Sequence, residues 1–257
     1  MRVFTRDGEG GNHLGIVNDL VDLDDGAMQR IAAHLGFSES VFVDWADAGV
    51  PFVRIFTPSE ELSFAGHPLV GGAWCLTVIG PGGVQRLRYA GGEASISLEG
   101  AITWVEVAID ATMAPPNGVG SFVSRVGITG VVSADALLLP KEYVLVELAS
   151  PEAVASVRPD MTVLRERFGT LVFARDENRV RCRFFAPGSG IPEDPATGSA
   201  AVALARLFTE RGEPRGRLTI SQGEEMGHPS RIELQWGDGR AAIGGSVVRD
   251  EVRLLDE

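Results

Sequence analysis

The chain has 257 residues, 44% of them hydrophobic, enough to bury one large core or the cores of two lobes of ordinary size. Its 35 acidic and 23 basic side chains leave a formal charge of -12. That charge repels phosphate backbones and anionic membrane surfaces, and with no basic stripe present nucleic acid is excluded as a partner. No apolar run reaches the length that spans a bilayer, and MRVFTRDGEG carries no apolar segment behind a basic one. No membrane partner is therefore expected, and the expected location is cytoplasmic.

Along the chain, Asp24 and Asp25 place carboxylates at the start of a helix through Met28, Ile31, Ala32 and Leu35, which Gly36 can close. This helix delivers the chain to Ser38-Glu39-Ser40. Standing between two serines and ahead of the apolar segment Val41 to Val43, Glu39 by itself reads as a solvated loop carboxylate. Alternating patterns predict strands over Ser40 to Trp45, Pro51 to Phe56, Trp104 to Ile109, Tyr143 to Leu148, Arg179 to Phe184 and Arg231 to Trp236. In the fifth, Val180, Cys182 and Phe184 alternate with three arginines, which implies a half-buried strand and antiparallel sheet.

A second helix is predicted from near Pro68 through Leu69, Ala73, Trp74 and Leu76 to Gly80, and a third from Ser199 through Ala200, Val202, Ala203, Leu207 and Phe208 to Gly212. Both are apolar on nearly every face over much of their length. Such helices must be enclosed, so each is expected at the centre of a sheet wrapped around it. The fold class is α+β. Two free cysteines, Cys75 and Cys182, fall inside apolar patterns as buried hydrophobes, and four scattered histidines, His13, His34, His67 and His228, give no metal-binding spacing, so no metal is expected.

The segments ahead of the two enclosed helices echo each other. Arg54-Ile55-Phe56-Thr57-Pro58 leads to Gly66-His67, and Arg183-Phe184-Phe185-Ala186-Pro187 leads to Gly198-Ser199. An alternating strand, a proline, a loop and a glycine before a helix recur in order, which points to internal duplication. Glycine lets a ligand approach the N–H groups of a helix start, whose positive dipole end attracts carboxylates. If the lobes are duplicates, the two starts face one another across a cleft that suits an anionic substrate. The loop Glu193-Asp194-Pro195-Ala196-Thr197-Gly198-Ser199 adds carboxylates and hydroxyls at one start. Asp194, Thr197 or Ser199 serving only as a helix cap is the alternative.

Taken in order, Ser38-Glu39-Ser40-Val41-Phe42-Val43, Arg54-Ile55-Phe56-Thr57-Pro58, Phe64-Ala65-Gly66-His67-Pro68 and Glu193-Asp194-Pro195-Ala196-Thr197-Gly198-Ser199-Ala200 resemble the phenazine-biosynthesis (PhzF-like) family. Gly11-Asn12 and Ser221-Gln222-Gly223-Glu224 extend the resemblance over most of the chain. It implies two pseudo-symmetric lobes of the diaminopimelate epimerase type, each an antiparallel sheet around a central helix. The expected lobes are 1–112 and 113–242, and a last strand at about 243–257 is expected to return to the first. It further implies an isomerase without metal or cofactor, acting on a small carboxylate such as a dihydro-hydroxyanthranilate, and a homodimer. Glu39 is then the residue that shuttles a proton, His67, Asp194 and Ser199 complete the catalytic set, and Gly66, Gly198, Thr197 and Asn12 contact substrate.

Related epimerases of that fold use one thiol from each lobe; here the corresponding positions are Ala65 and Thr197, which excludes thiol-based racemisation. His13 stands where proline is common in the family, and the stretch between Val131 and Thr170 is compact. Two rival readings remain open, a carboxylate-based amino-acid epimerase using Glu39 and Asp194, and a ligand-binding member without chemistry. A hydrolase triad of Ser199, His67 and Asp194 lacks a G-x-S-x-G turn, and no dinucleotide or triphosphate loop is present.

Overall fold

The computed structural model describes residues 1–18, 20, 23–45, 49–80, 83–115 and 117–252. Its strands join through their pairings into one mixed sheet system, and the two enclosed helices occupy Gly66–Trp74 and Gly198–Glu210. Every residue of the first but Trp74 is buried, and every residue of the second from Gly198 through Ala205. Both belong to one continuous apolar core that includes Leu69, Leu76, Val202 and Leu207. The first helix begins two residues before the expected start, with Pro68 still in the proline-tolerant first turn. Beyond Trp74 it winds into a π-helical turn, Cys75–Ile79, that stops at Gly80.

Duplication is written into the strand registers. Asn12–Val17 pairs parallel with Glu39–Asp44, matching Leu14 with Glu39, and Lys141–Leu148 pairs parallel with Gly169–Asp176, matching Tyr143 with Gly169. The next pairing is antiparallel in both lobes, Ser40 opposite Phe56 and Thr170 opposite Phe185. A short strand, Glu61–Leu62 or Ile191–Asp194, then returns along the strand that precedes it, with Ile55 opposite Leu62 and Phe184 opposite Asp194. Stepping along these registers makes Glu39 equivalent to Gly169, Leu14 to Tyr143, and Arg54 to Arg183. The lobes meet where Ile102–Ala108 pairs antiparallel with Arg240–Val248, whose far end also pairs with Arg2–Thr5. Val248 ends that strand, and residues 253–257 of the expected final strand lie outside the described residues.

Four departures from the sequence reading have physical causes. The sheet is mixed, because each lobe contains two parallel pairings, for example Phe52 with Arg88 and Arg179 with Thr219; crossovers through the enclosed helices make parallel neighbours. Strand Arg179–Ala186 is covered on both faces near its end, where Phe185 joins a second apolar cluster with Phe122, Val126 and Val154. That cluster is formed with helices Val119–Val126, Pro151–Ser156 and Met161–Leu164, which short length hides from periodicity. Glu39 is the first residue of a strand and is mostly buried.

The first helix, Asp25–Leu35, is capped by the Asp24 side chain and closed by Gly36 at a φ of 68°, a left-handed conformation that favours glycine. It packs Met28 and Ala32 on Phe42 and Phe56.

Candidate active site

A cleft of about 520 Å³ lies along the starts of the two enclosed helices, lined by Glu39, Ala65, Tyr143, Asp194, Thr197 and Ser199 among others. Its walls carry Leu62, Phe64, Phe168, Phe184 and Ile191, and Lys141 supplies the cation of the lining. The cap residues of the two helices, Ala65 and Thr197, make no side-chain bond to a first-turn N–H, so donors of those turns remain for a ligand. Of the alternatives open in the sequence, helix capping by Thr197 is thereby removed.

Local folding brings five of the expected residues together. The parallel pairing with Leu14 sets Glu39 at a strand start, and its Oε2 lies 3.5 Å from Nε2 of His67. Both atoms are buried and neither has a well-directed hydrogen bond. Asp194, at the end of Ile191–Asp194, accepts from Asn12 Nδ2 at 2.9 Å through Oδ1 and from the Thr197 hydroxyl through Oδ2. Asn12 Nδ2 also lies 3.1 Å from the Ala196 carbonyl and 3.3 Å from Nδ1 of His67. One buried amide thus ties together groups from both lobes. Glu39, Asp194, Thr197 and Ser199 line the cleft, and Asn12, His67, Gly66 and Gly198 are not among its lining residues.

Burial controls the titration of this cluster. The Glu39 carboxyl is pushed up to about 7 by loss of solvent, with a hydrogen bond from Ser38 opposing. Asp194 is pushed up to about 7, first by burial and then by the charge of Glu39. Burial thus favours the protonated form of both carboxyls, and an ionised Glu39 favours it further at Asp194. His67 is driven down to about 4 by burial, against the pull of Asp194, so its imidazole is neutral.

Two residues enter the site that the sequence motifs did not single out for it. Gln222 donates to the Asp194 carbonyl at 2.7 Å and the Thr197 hydroxyl at 3.0 Å, and accepts from the Thr197 N–H at 3.2 Å and the Cys182 thiol. Its membership in Ser221-Gln222-Gly223-Glu224 was the available signal. Tyr143 is buried with its hydroxyl donating to Ser199 Oγ at 2.9 Å; its place in an alternating strand carried no signal.

Comparison with known proteins identifies the family and the fold. A family model described as "Phenazine biosynthesis-like protein" matches residues 1–110 and 128–248. Trans-2,3-dihydro-3-hydroxyanthranilate isomerase of Pseudomonas fluorescens is 33% identical over 251 residues, covering 90% of this chain and 86% of its own. An uncharacterized isomerase of Mesorhizobium japonicum is 32% identical, covering 96% and 94%. Among solved structures, the PhzF-family phenazine biosynthesis protein of Bacillus anthracis superposes with a TM-score of 0.80 at 21% identity, over 95% of this chain and 93% of that one. This chain belongs to the phenazine biosynthesis-like family and is an isomerase.

Proposed function

We propose that the protein moves a proton from one carbon to another on a small carboxylate substrate, with Glu39 as the shuttling acid/base and no metal or cofactor. The observation that carries this reading is the Glu39 carboxyl, buried beside neutral His67 on the wall of the cleft and titrating near 7. A base must be ionised to take a proton and a good acid to return it, and a value near the working pH serves both steps. Removing a proton from carbon builds negative charge on the substrate. N–H groups of the two helix starts and the Ser199 hydroxyl are the donors that hold the substrate carboxylate and meet that charge. Asp194, its carboxyl held up to about 7 by burial and by the charge of Glu39, receives an amino group or serves as second acid. Its bonds to Asn12 and Thr197 fix where it does so.

Trans-2,3-dihydro-3-hydroxyanthranilate is the first substrate to test, since relatives that match most of the chain carry the name of its isomerase. A second reading, epimerisation of an amino acid, is favoured by one observation. Glu39 and Asp194 reach the same cleft from different lobes, as two bases on opposite faces of a carbon require. A homodimer in the cytoplasm completes the proposal.

The experiment incubates wild type and Glu39→Gln with that substrate in deuterated buffer and follows isomerisation and deuterium by NMR. Turnover by wild type alone supports the shuttle. Turnover by both enzymes removes Glu39 from it, and deuterium at an inverted amino-acid centre replaces the isomerase reading with the epimerase one.

A further inference from the structure

The duplicated registers make Gly169 the second lobe's counterpart of Glu39 and Tyr143 that of Leu14. Gly66-His67 and Gly198-Ser199 are the corresponding starts of the enclosed helices. The second lobe has therefore lost the acid position altogether: a Cβ on Gly169 would lie 2.4 Å from the ring of Phe184. In exchange it has gained a phenol one strand over. Where the first lobe sets Glu39 3.5 Å from His67, the second sets the Tyr143 hydroxyl 2.9 Å from Ser199.

We infer that Tyr143 is a positioning residue that holds the Ser199 hydroxyl as a hydrogen-bond donor into the cleft, making the second lobe the charge-stabilising half opposite the Glu39 half. This rests on the proposed role of Glu39. A serine hydroxyl has one proton and two acceptor lone pairs. When Tyr143 donates to Ser199 Oγ, that oxygen is used as an acceptor on the Tyr143 side and its own proton is turned elsewhere. Ser199 lines the cleft, and its place in the first turn of Gly198–Glu210 sets it beside the N–H donors of that helix start.

The phenol stays protonated to perform this task. Burial pushes it up to about 12, and the charges of Glu39 and Asp194 push the same way, against the bond to Ser199. The ring is held by Phe168 and Phe184, with centroids 5.5 and 5.7 Å away, so its hydroxyl has little freedom to swing from Ser199. A donor preset toward developing charge costs no reorganisation at the moment of reaction, which is where such groups act most strongly.

Tyr143→Phe keeps those ring contacts and deletes one oxygen. With trans-2,3-dihydro-3-hydroxyanthranilate as substrate, kcat is expected to fall about tenfold or more with KM little changed and the melting temperature retained. Ser199→Ala is expected to fall at least as far, and Tyr143→Phe added to Ser199→Ala to cost nothing more. Full activity in Tyr143→Phe overturns the inference, as do losses that multiply in the double variant. Neutron diffraction on the deuterated wild type reads the same point without any substrate: the Tyr143 deuteron on the line to Ser199 Oγ, and the Ser199 deuteron aimed into the cleft. A Ser199 deuteron pointing at the Tyr143 oxygen overturns it. A wild type inert toward the substrate defeats the substrate reading and leaves the deuteron positions to decide this one.

Discussion

Gly66 and Gly198 pack backbone against backbone at the junction of the two lobes. A Cβ on Gly66 would lie 2.5 Å from both Cα and C of Gly198 and 2.7 Å from the Ser199 nitrogen, and one on Gly198 would lie 2.8 Å from Cα of Gly66. Both glycines therefore serve close approach, which brings two helix starts and their positive dipole ends to one cleft. The three atoms nearest a Cβ on Gly66 are all backbone, so no flexible side chain there can give way.

Gly66→Ala is accordingly expected to destabilise the protein by about 1–3 kcal/mol and to lower activity further by parting the helix starts. Gly72→Ala in the same helix is the control. The atoms nearest its Cβ would be methyls of Val53 and Val41, at 3.6 and 3.7 Å, so it should be neutral or stabilise by up to about 1 kcal/mol. Urea unfolding of both variants measures the contrast. Equal behaviour would show that the contact between lobes yields without cost.

The Glu39 carboxyl predicts a pH-dependent stability. Its folded value, about 7, exceeds the unfolded value, 4.5, so between these the folded state binds more protons and stability falls as pH rises. The contribution is fully present below about 4.5 and lost above about 7. Glu39→Gln removes this loss and should gain on the order of 2 kcal/mol on wild type at pH 8, with little gain at pH 4. Thermal unfolding at the two pH values is the measurement. A gain confined to low pH would mean that Glu39 is ionised in the folded protein throughout, and that burial does not raise its carboxyl.

What the sequence disclosed and what it hid divide along contact range. The five-residue echo between Arg54 and Pro58 and between Arg183 and Pro187 was legible because duplication keeps local pattern, and the registers extend it to every strand around it. Both enclosed helices were legible from their all-round apolarity. Ser150 before Pro151 and Asp160 before Met161 cap two of the helices absent from the sequence reading, so their signals were present but short. Tyr143 to Ser199 and Asn12 to Asp194 were illegible, since they join residues 56 and 182 positions apart. Glu39 misled for the opposite reason. Serines on either side suggest solvent, and only the parallel pairing with Leu14 buries it.

Gln222 uses both amide protons and both lone pairs inside the fold. Replacement by leucine keeps the bulk but leaves the Thr197 N–H and the Asp194 carbonyl unpaired where water does not reach. At roughly 1–3 kcal/mol for each orphaned group, Gln222→Leu should lose about 2–6 kcal/mol of stability. Activity measured well below its melting temperature should fall as well, because Asp194 and Thr197 lose the bonds that place them. A folded, fully active variant would show that Asn12 and the Thr197 hydroxyl suffice to hold Asp194.

Equivalent arginines clamp the loop ahead of each enclosed helix, but at different depths. Arg54 grips Glu61 with Nε at 2.8 Å and Nη2 at 2.6 Å, and Arg183 grips Glu193 with both at 2.8 Å. The Arg183 side chain is 7% exposed against 20% for Arg54, and it also donates to the Val157 carbonyl. Arg183→Leu removes this cation from partly buried Glu193, the neighbour of Asp194, and should cost about 3 kcal/mol, the low end for a buried pair. Arg54→Leu leaves Glu61 with access to water and should cost about 1 kcal/mol. Because Glu193 is adjacent to Asp194, only the second-lobe variant should also change the pH dependence of activity. An uncompensated negative charge nearby raises a carboxyl further, so the activity limb near 7 should move to higher pH. Equal stability losses in the two variants, with that limb unmoved, would mean that depth of burial does not separate the clamps and that the charge of Glu193 does not reach Asp194.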